Sequence, residues 1–208
     1  MYSYLALGDS YTIGEGVARA NNFPHQTWTI LETSGLLFHP PRIIAQTGWT
    51  TGELLEALAA VSLSPPYDFV SLLIGVNNEF RGQSAERYEK EFLELLLQSI
   101  LLAGDHTGHT FVLSIPDWSV TPFAHSYLPD SIGRTKQNIA AEIDAFNKIA
   151  QRIAHKHHVD FIDITEHTRL SALKSAHPDW LAPDLLHPSG GEYRFWAEQL
   201  ASRFSKCC

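Results

Sequence analysis

The chain has 208 residues, 44% of them hydrophobic, which is enough for one sizeable core and predicts a single domain over residues 1–208. Its 23 acidic against 15 basic residues leave a formal net charge of −8, which excludes a basic stripe for a nucleic-acid backbone and disfavours adhesion to anionic lipid. The only cysteines, Cys207 and Cys208, cannot staple the core; with no basic, apolar leader and no membrane-length apolar run, a cytoplasmic protein away from membranes is expected.

In chain order, Tyr2–Leu7 reads as a first strand. It breaks at Gly8 into small and polar residues, "GDSYTIGEG". Phe23–Gly35 follows as a helix, Pro41–Thr47 as a second strand and Thr50–Val61 as a helix. Tyr67–Gly75 is a third strand, apolar enough to be buried on both faces. Ser84–Gly104 is a long helix with a broad apolar stripe, and Ser84 is placed to cap it. A fourth strand spans His109–Pro116, a helix Gln137–His158, and a fifth strand Val159–Ile164. A closing helix runs from about Pro188 to Phe204, with the proline in its first turn. Between the fourth strand and its helix lies a long aromatic loop, Asp117–Arg134. This alternation predicts an α/β fold of three layers, a parallel sheet covered by helices on both faces. Ligands in such folds bind outside the carboxyl ends of the strands, so a chemical residue should stand just after a strand.

Ser10 stands there, after strand one. Taken alone, it reads equally as a helix cap, a phosphate-loop residue or a nucleophile. Neither G-x-x-x-x-G-K-[ST] nor G-x-G-x-x-G is present, which weakens the phosphate reading. A nucleophilic serine needs a base, because an alcohol attacks poorly at neutral pH. Among the 11 histidines, His155, His157 and His158 end a helix and read as a solvated cluster rather than a metal site. His187 is different: Asp184 precedes it by three residues in "APDLLHPSGG", a spacing that lets a carboxylate orient the imidazole. Acyl transfer also needs donors for an oxyanion. Gly48 follows strand two and Asn77 follows strand three, offering a bare backbone N–H and a neutral side-chain amide.

Four pieces in order, "LGDS" (Leu7–Ser10), Gly48 in "TGWTTGE", "GVNN" (Gly75–Asn78) and "DLLH" (Asp184–His187), resemble the SGNH hydrolases, also called the GDSL esterase/lipase family, from end to end of the chain. The resemblance implies a flavodoxin-like sheet of five parallel strands and cofactor-free, metal-free hydrolysis of small-molecule esters. It implies Ser10 as nucleophile, His187 as general base and Asp184 as its orienting acid, with Ser10, Gly48 and Asn77 forming the oxyanion hole. Asp9, Trp49, Asn78, Trp118 and Tyr127 are the candidates around the substrate pocket, with Phe123 as pocket wall or core. Tyr11 stands where the named motif has leucine, and Asn78 where many members have aspartate. A carbohydrate O-acetyl esterase or an acyltransferase would use the same site. A non-catalytic, flavodoxin-like binding module is the reading from a different class.

Overall fold

The computed structural model describes residues 1–127, 133–174 and 177–208. Five strands, β1 (Tyr4–Gly8), β2 (Arg42–Ala45), β3 (Phe69–Leu73), β4 (Thr110–Leu113) and β5 (Asp160–Ile162), pair in parallel in the order β2-β1-β3-β4-β5. Every residue of β1 and β3 is buried, which is why both read as nearly continuous apolar runs. The polar exception in β3, Ser71, shares a 2.7 Å hydrogen bond with the Tyr4 hydroxyl. Pairing buried polar groups avoids the desolvation cost each would otherwise carry.

The helices are α1 (Ser10–Ile13), α2 (Phe23–Thr33), α3 (Thr51–Ala60), α4 (Val76–Phe80), α5 (Ala85–Leu102), α6 (Pro122–Tyr127), α7 (Lys136–Lys156), α8 (Thr165–Lys174) and α9 (Gly190–Phe204). The chain steps one way along the sheet from β1 to β2 and the other way afterwards, so right-handed crossovers put helices on both faces. On one face α2 packs against α9; on the other, α3, α5 and α7 lie in a row. Phe204 of α9 stacks on Phe69 of β3 at 4.3 Å between ring centres, and Tyr88 of α5 stacks on Phe146 of α7 at 4.5 Å. Removing a ring of this size from water is worth roughly 2–3 kcal/mol.

Local signals set the helix starts. Thr50 and Glu53 form a reciprocal capping box on α3, and the Ser84 hydroxyl accepts the Arg87 N–H to open α5. At the closing helix the structure corrects the expectation. α9 begins at Gly190 and is capped by Ser189, while Pro188 lies outside it in a single bridge with Leu181. A serine hydroxyl satisfies an orphan N–H at the helix start, which proline cannot do. The Asp117–Arg134 stretch is also not a plain loop: it holds a short turn at Trp118–Val120 and then α6, while its residues 128–132 lie outside those described.

α8, which has no apolar stripe to betray it, is tied to α9 by a buried carboxylate. Ser171 Oγ donates to Glu192 Oε2 at 2.9 Å, and His167 Nε2 lies 3.4 Å from the same oxygen. Burial pushes the Glu192 carboxyl up to about 7, opposed by the Ser171 hydroxyl. The folded chain therefore keeps a proton that the unfolded chain releases between about 4.5 and 7. Stability falls as pH rises through that window and is level above it, a loss of at most about 3 kcal/mol from this group. Glu192→Gln, which still accepts from Ser171, should gain stability relative to the parent between pH 4.5 and 8 in urea denaturation. An equal difference at both pH values would remove Glu192 as the cause.

Among the described residues no helix is long and apolar enough to cross a membrane.

Candidate active site

The site lies at the carboxyl ends of β1, β2 and β3, where the strand order turns back on itself. Such switch points open a crevice between neighbouring loops. β1 ends at Gly8, and Asp9 caps α1 by accepting the Tyr11 N–H on Oδ1 at 3.0 Å. Ser10 is thus the first residue of a one-turn helix, turned out of the sheet edge.

The other half comes from the far end of the chain. Asp184 Oδ1 accepts the backbone N–H groups of Leu186 (3.0 Å) and His187 (2.9 Å). Leu185 is held with φ at +62° to close this turn. A branched residue in the left-handed region costs on the order of 1 kcal/mol or more, so the turn is held by its hydrogen bonds. Asp184 Oδ2 then meets His187 Nδ1 at 2.7 Å, and His187 Nε2 meets Ser10 Oγ at 2.9 Å. With Nδ1 protonated toward Asp184, Nε2 is left to accept the Ser10 hydroxyl proton. Burial raises the Asp184 pKa, but the Leu186 N–H, the His187 ring and the His187 N–H outweigh it. The net shift is downward, which keeps Asp184 ionised.

A cavity of about 150 Å³ opens beside Ser10 and His187. Gly48 and Asn77 line it. Gly48 has φ at +85°, a left-handed conformation that suits glycine. Its carbonyl accepts Arg81 Nη2 at 2.6 Å, and Arg81 pairs with Glu53 at 3.1 Å. Thr47 beside it hydrogen-bonds Glu15. Asn77 Nδ2 donates one hydrogen to the Trp49 carbonyl at 3.0 Å, and the second amide hydrogen remains for the cavity.

Among the pocket candidates, Trp118 lines the cavity, as do Phe123, Phe80 and Leu186. Asn78 does not. One residue on from Asn77, a helix turns by about 100°, and Asn78 points into the protein. There it accepts the Thr51 N–H (3.0 Å) and donates to Thr51 Oγ1 (2.6 Å) and Gln83 (2.9 Å). Asp9 is likewise not a wall residue but a buried cap whose pKa burial pushes to about 7, against the Tyr11 N–H. Trp49 contributes its carbonyl to Asn77, and Tyr127 stacks on Phe123 at 5.7 Å; neither lines the cavity. Tyr11 does line it, with its ring 5.0 Å from the His187 ring, so the aromatic in place of leucine forms part of the imidazole's bed.

Two residues that sequence reasoning missed stand behind the wall. Glu79 Oε2 accepts the Trp118 indole N–H at 2.7 Å, and Glu79 pairs with Arg134. A carboxylate between Asn78 and Phe80, shortly after the apolar run of β3, is the available signal for Glu79; nothing local marks Arg134 as its partner.

A larger hollow of about 580 Å³ lies between α7 and α8, lined by Asp144, Lys148 and Arg169 among others, but it reaches none of these residues. Among the described residues, no cluster of three His, Cys, Asp or Glu side chains is arranged to hold a metal ion.

Sheet order and site together define a three-layer α/β protein of the flavodoxin-like type, with a Ser–His–Asp hydrogen-bonded chain at its switch point. A model of the GDSL-like lipase/acylhydrolase family matches residues 6–195, and the chain belongs to that family. Solved structures agree in fold. A lipase/acylhydrolase from Enterococcus faecalis superposes with a TM-score of 0.70 at 18% identity, covering 98% of this chain and 95% of that one. An acetyl xylan esterase from Geobacillus stearothermophilus gives 0.71 at 20% identity over 97% and 94%. The psychrotrophic esterase EstA from Pseudoalteromonas sp. gives 0.71 at 14% identity over 99% and 98%. Comparison with curated proteins finds no match.

Proposed function

We propose that the chain is a serine esterase that cleaves carboxylic esters through an acyl-enzyme. The observation that carries this reading is the continuous chain from Ser10 Oγ through His187 Nε2 and Nδ1 to Asp184, at 2.9 and 2.7 Å. Ser10 Oγ attacks the ester carbonyl as His187 Nε2 takes its proton. Asp184 holds the ring in the needed tautomer and stabilises the imidazolium that forms. Negative charge gathers on the former carbonyl oxygen, where the N–H groups of Ser10 and Gly48 and the free Asn77 amide hydrogen receive it. Removing one such preorganised donor costs roughly 3–4 kcal/mol in the barrier. His187 then gives its proton to the leaving alcohol, and water repeats the sequence on the acyl-Ser10 ester.

The test is covalent. A fluorophosphonate probe should label the protein once, at Ser10, and block hydrolysis of p-nitrophenyl acetate, while EDTA leaves the rate unchanged. A protein that is unlabelled and inert would leave the binding-module reading. A rate lost in EDTA would point to metal chemistry instead.

A carbohydrate O-acetyl ester is the second reading, favoured by the small cavity and the likeness to an acetyl xylan esterase. Acetate release from acetylated xylan, set beside p-nitrophenyl acetate, separates it from a simple esterase. Product analysis with an added acceptor alcohol separates an acyltransferase.

A further inference from the structure

The cavity wall at Trp118 is backed by a buried charge. Trp118 is almost fully buried, and its indole N–H reaches 2.7 Å to Glu79 Oε2. The Glu79 side chain has no solvent exposure, and its other oxygen meets Arg134. Arg134 also donates to the Phe80 carbonyl at 3.2 Å, pairs with Glu142 at 2.8 Å and lies over the Trp118 ring at 5.8 Å. Burying a carboxylate costs several kcal/mol unless it is paired and hydrogen-bonded. An aliphatic side chain would close an apolar wall without that cost. What the Glu79–Arg134 pair adds is direction: it fixes one rotamer of the tryptophan. Glu79 also sits on α4, two residues from Asn77, so the helix that offers the oxyanion donor also braces the wall.

Resting on the serine-esterase reading, we propose that Trp118 is the residue that limits acyl length, and that Glu79, with Arg134, is the positioning residue that holds it there. The substrates are then esters of short acyl groups. The half-open cavity of about 150 Å³ is lined on its apolar side by Val76, Phe80, Trp118, Phe123 and Leu186. A cavity of that size takes a molecule about as large as benzene. A short acyl group fits a space of that size, whereas an octanoyl chain would have to displace the Trp118 wall.

The experiment is an acyl series of p-nitrophenyl acetate, butyrate and octanoate on the wild type, Trp118→Ala, Trp118→Phe, Glu79→Ala and Glu79→Gln. Active sites are counted in each by fluorophosphonate labelling. The wild type should favour acetate and butyrate over octanoate. Trp118→Ala should raise the octanoate-to-acetate ratio of kcat/KM by about tenfold or more, and Trp118→Phe by less. Glu79→Ala should move the ratio the same way, because the indole loses its anchor. Glu79→Gln, whose amide oxygen still accepts the indole N–H but whose NH2 cannot accept from Arg134, should bring the ratio back from the alanine value toward that of the wild type. A purely structural role for Glu79 would lower the labelled fraction without changing the ratio per labelled site. The inference is overturned if the wild type already prefers octanoate, or if labelled Trp118 variants keep the wild-type ratio. A wild type that is neither labelled nor active on any of the three esters instead overturns the esterase reading beneath it.

Discussion

Ser10→Ala should abolish turnover of p-nitrophenyl acetate, with kcat falling by roughly 10⁴–10⁶, while the protein stays folded. On the proposed serine-esterase reading, the size of the loss follows from the hydroxyl's role: without Oγ no acyl-enzyme forms, and His187 and Asp184 have no nucleophile to serve. Any residual rate would come from the oxyanion donors acting on water. The small structural effect follows from where Ser10 sits. It occupies the first position of α1, where alanine is tolerated, and the cap is Asp9 rather than Ser10 itself. The variant loses the 2.9 Å bond to His187, at a cost of about 1 kcal/mol, or a Tm lower by about 2–4 °C. Thermal melting alongside the kinetics separates the two effects. Full activity in the variant would end the nucleophile assignment, and a collapsed melting curve would show that Ser10 also holds the turn together.

Gly8→Ala should do the reverse and damage the fold first. A Cβ at position 8 would lie 2.1 Å from Thr12 Oγ1 and 2.4 Å from the Leu73 carbonyl oxygen. The threonine could rotate away, but the carbonyl belongs to β3, which pairs with β1 at this point. Relief requires moving one central strand against the other, or lifting the turn that carries Asp9 and Ser10. Overpacking of this kind costs about 3 kcal/mol or more, which for a chain of this size is a Tm lower by roughly 6–12 °C. Gly108→Ala is the control, since a Cβ there meets no atom within 4 Å. Equal melting of the two variants would mean that the β1–β3 junction has slack, and that Gly8 is not what brings the strand ends so close.

Much of the site can be read along the chain because its groups follow strands. Ser10, Gly48 and Asn77 come after β1, β2 and β3, and parallel strands put all three ends at one edge. The Asp184–His187 link is local as well, closed within one turn of chain. The walls are another matter. Asn77 and Asn78 are neighbours of the same type, and one turns to the cavity while the other is buried against Thr51, a difference set by the phase of a five-residue helix. Trp118 is a wall because Glu79 and Arg134 hold it, and those two are 55 positions apart.

What the sequence determines by itself is therefore the five strands, the long helices between them, the parallel sheet, and the chemical groups at the strand ends. Each depends on short-range patterns: apolar runs, capping residues, or a carboxylate three residues from an imidazole. The short helices α1, α4 and α6, and α8 with no apolar stripe, were not legible. Tertiary structure alone decided which side chains face the 150 Å³ cavity and how large that cavity is. It also decided that Asp9 is a buried cap and that a buried ion pair stands behind the tryptophan. These depend on helix phase and on contacts between distant segments, and no periodicity along the chain encodes either.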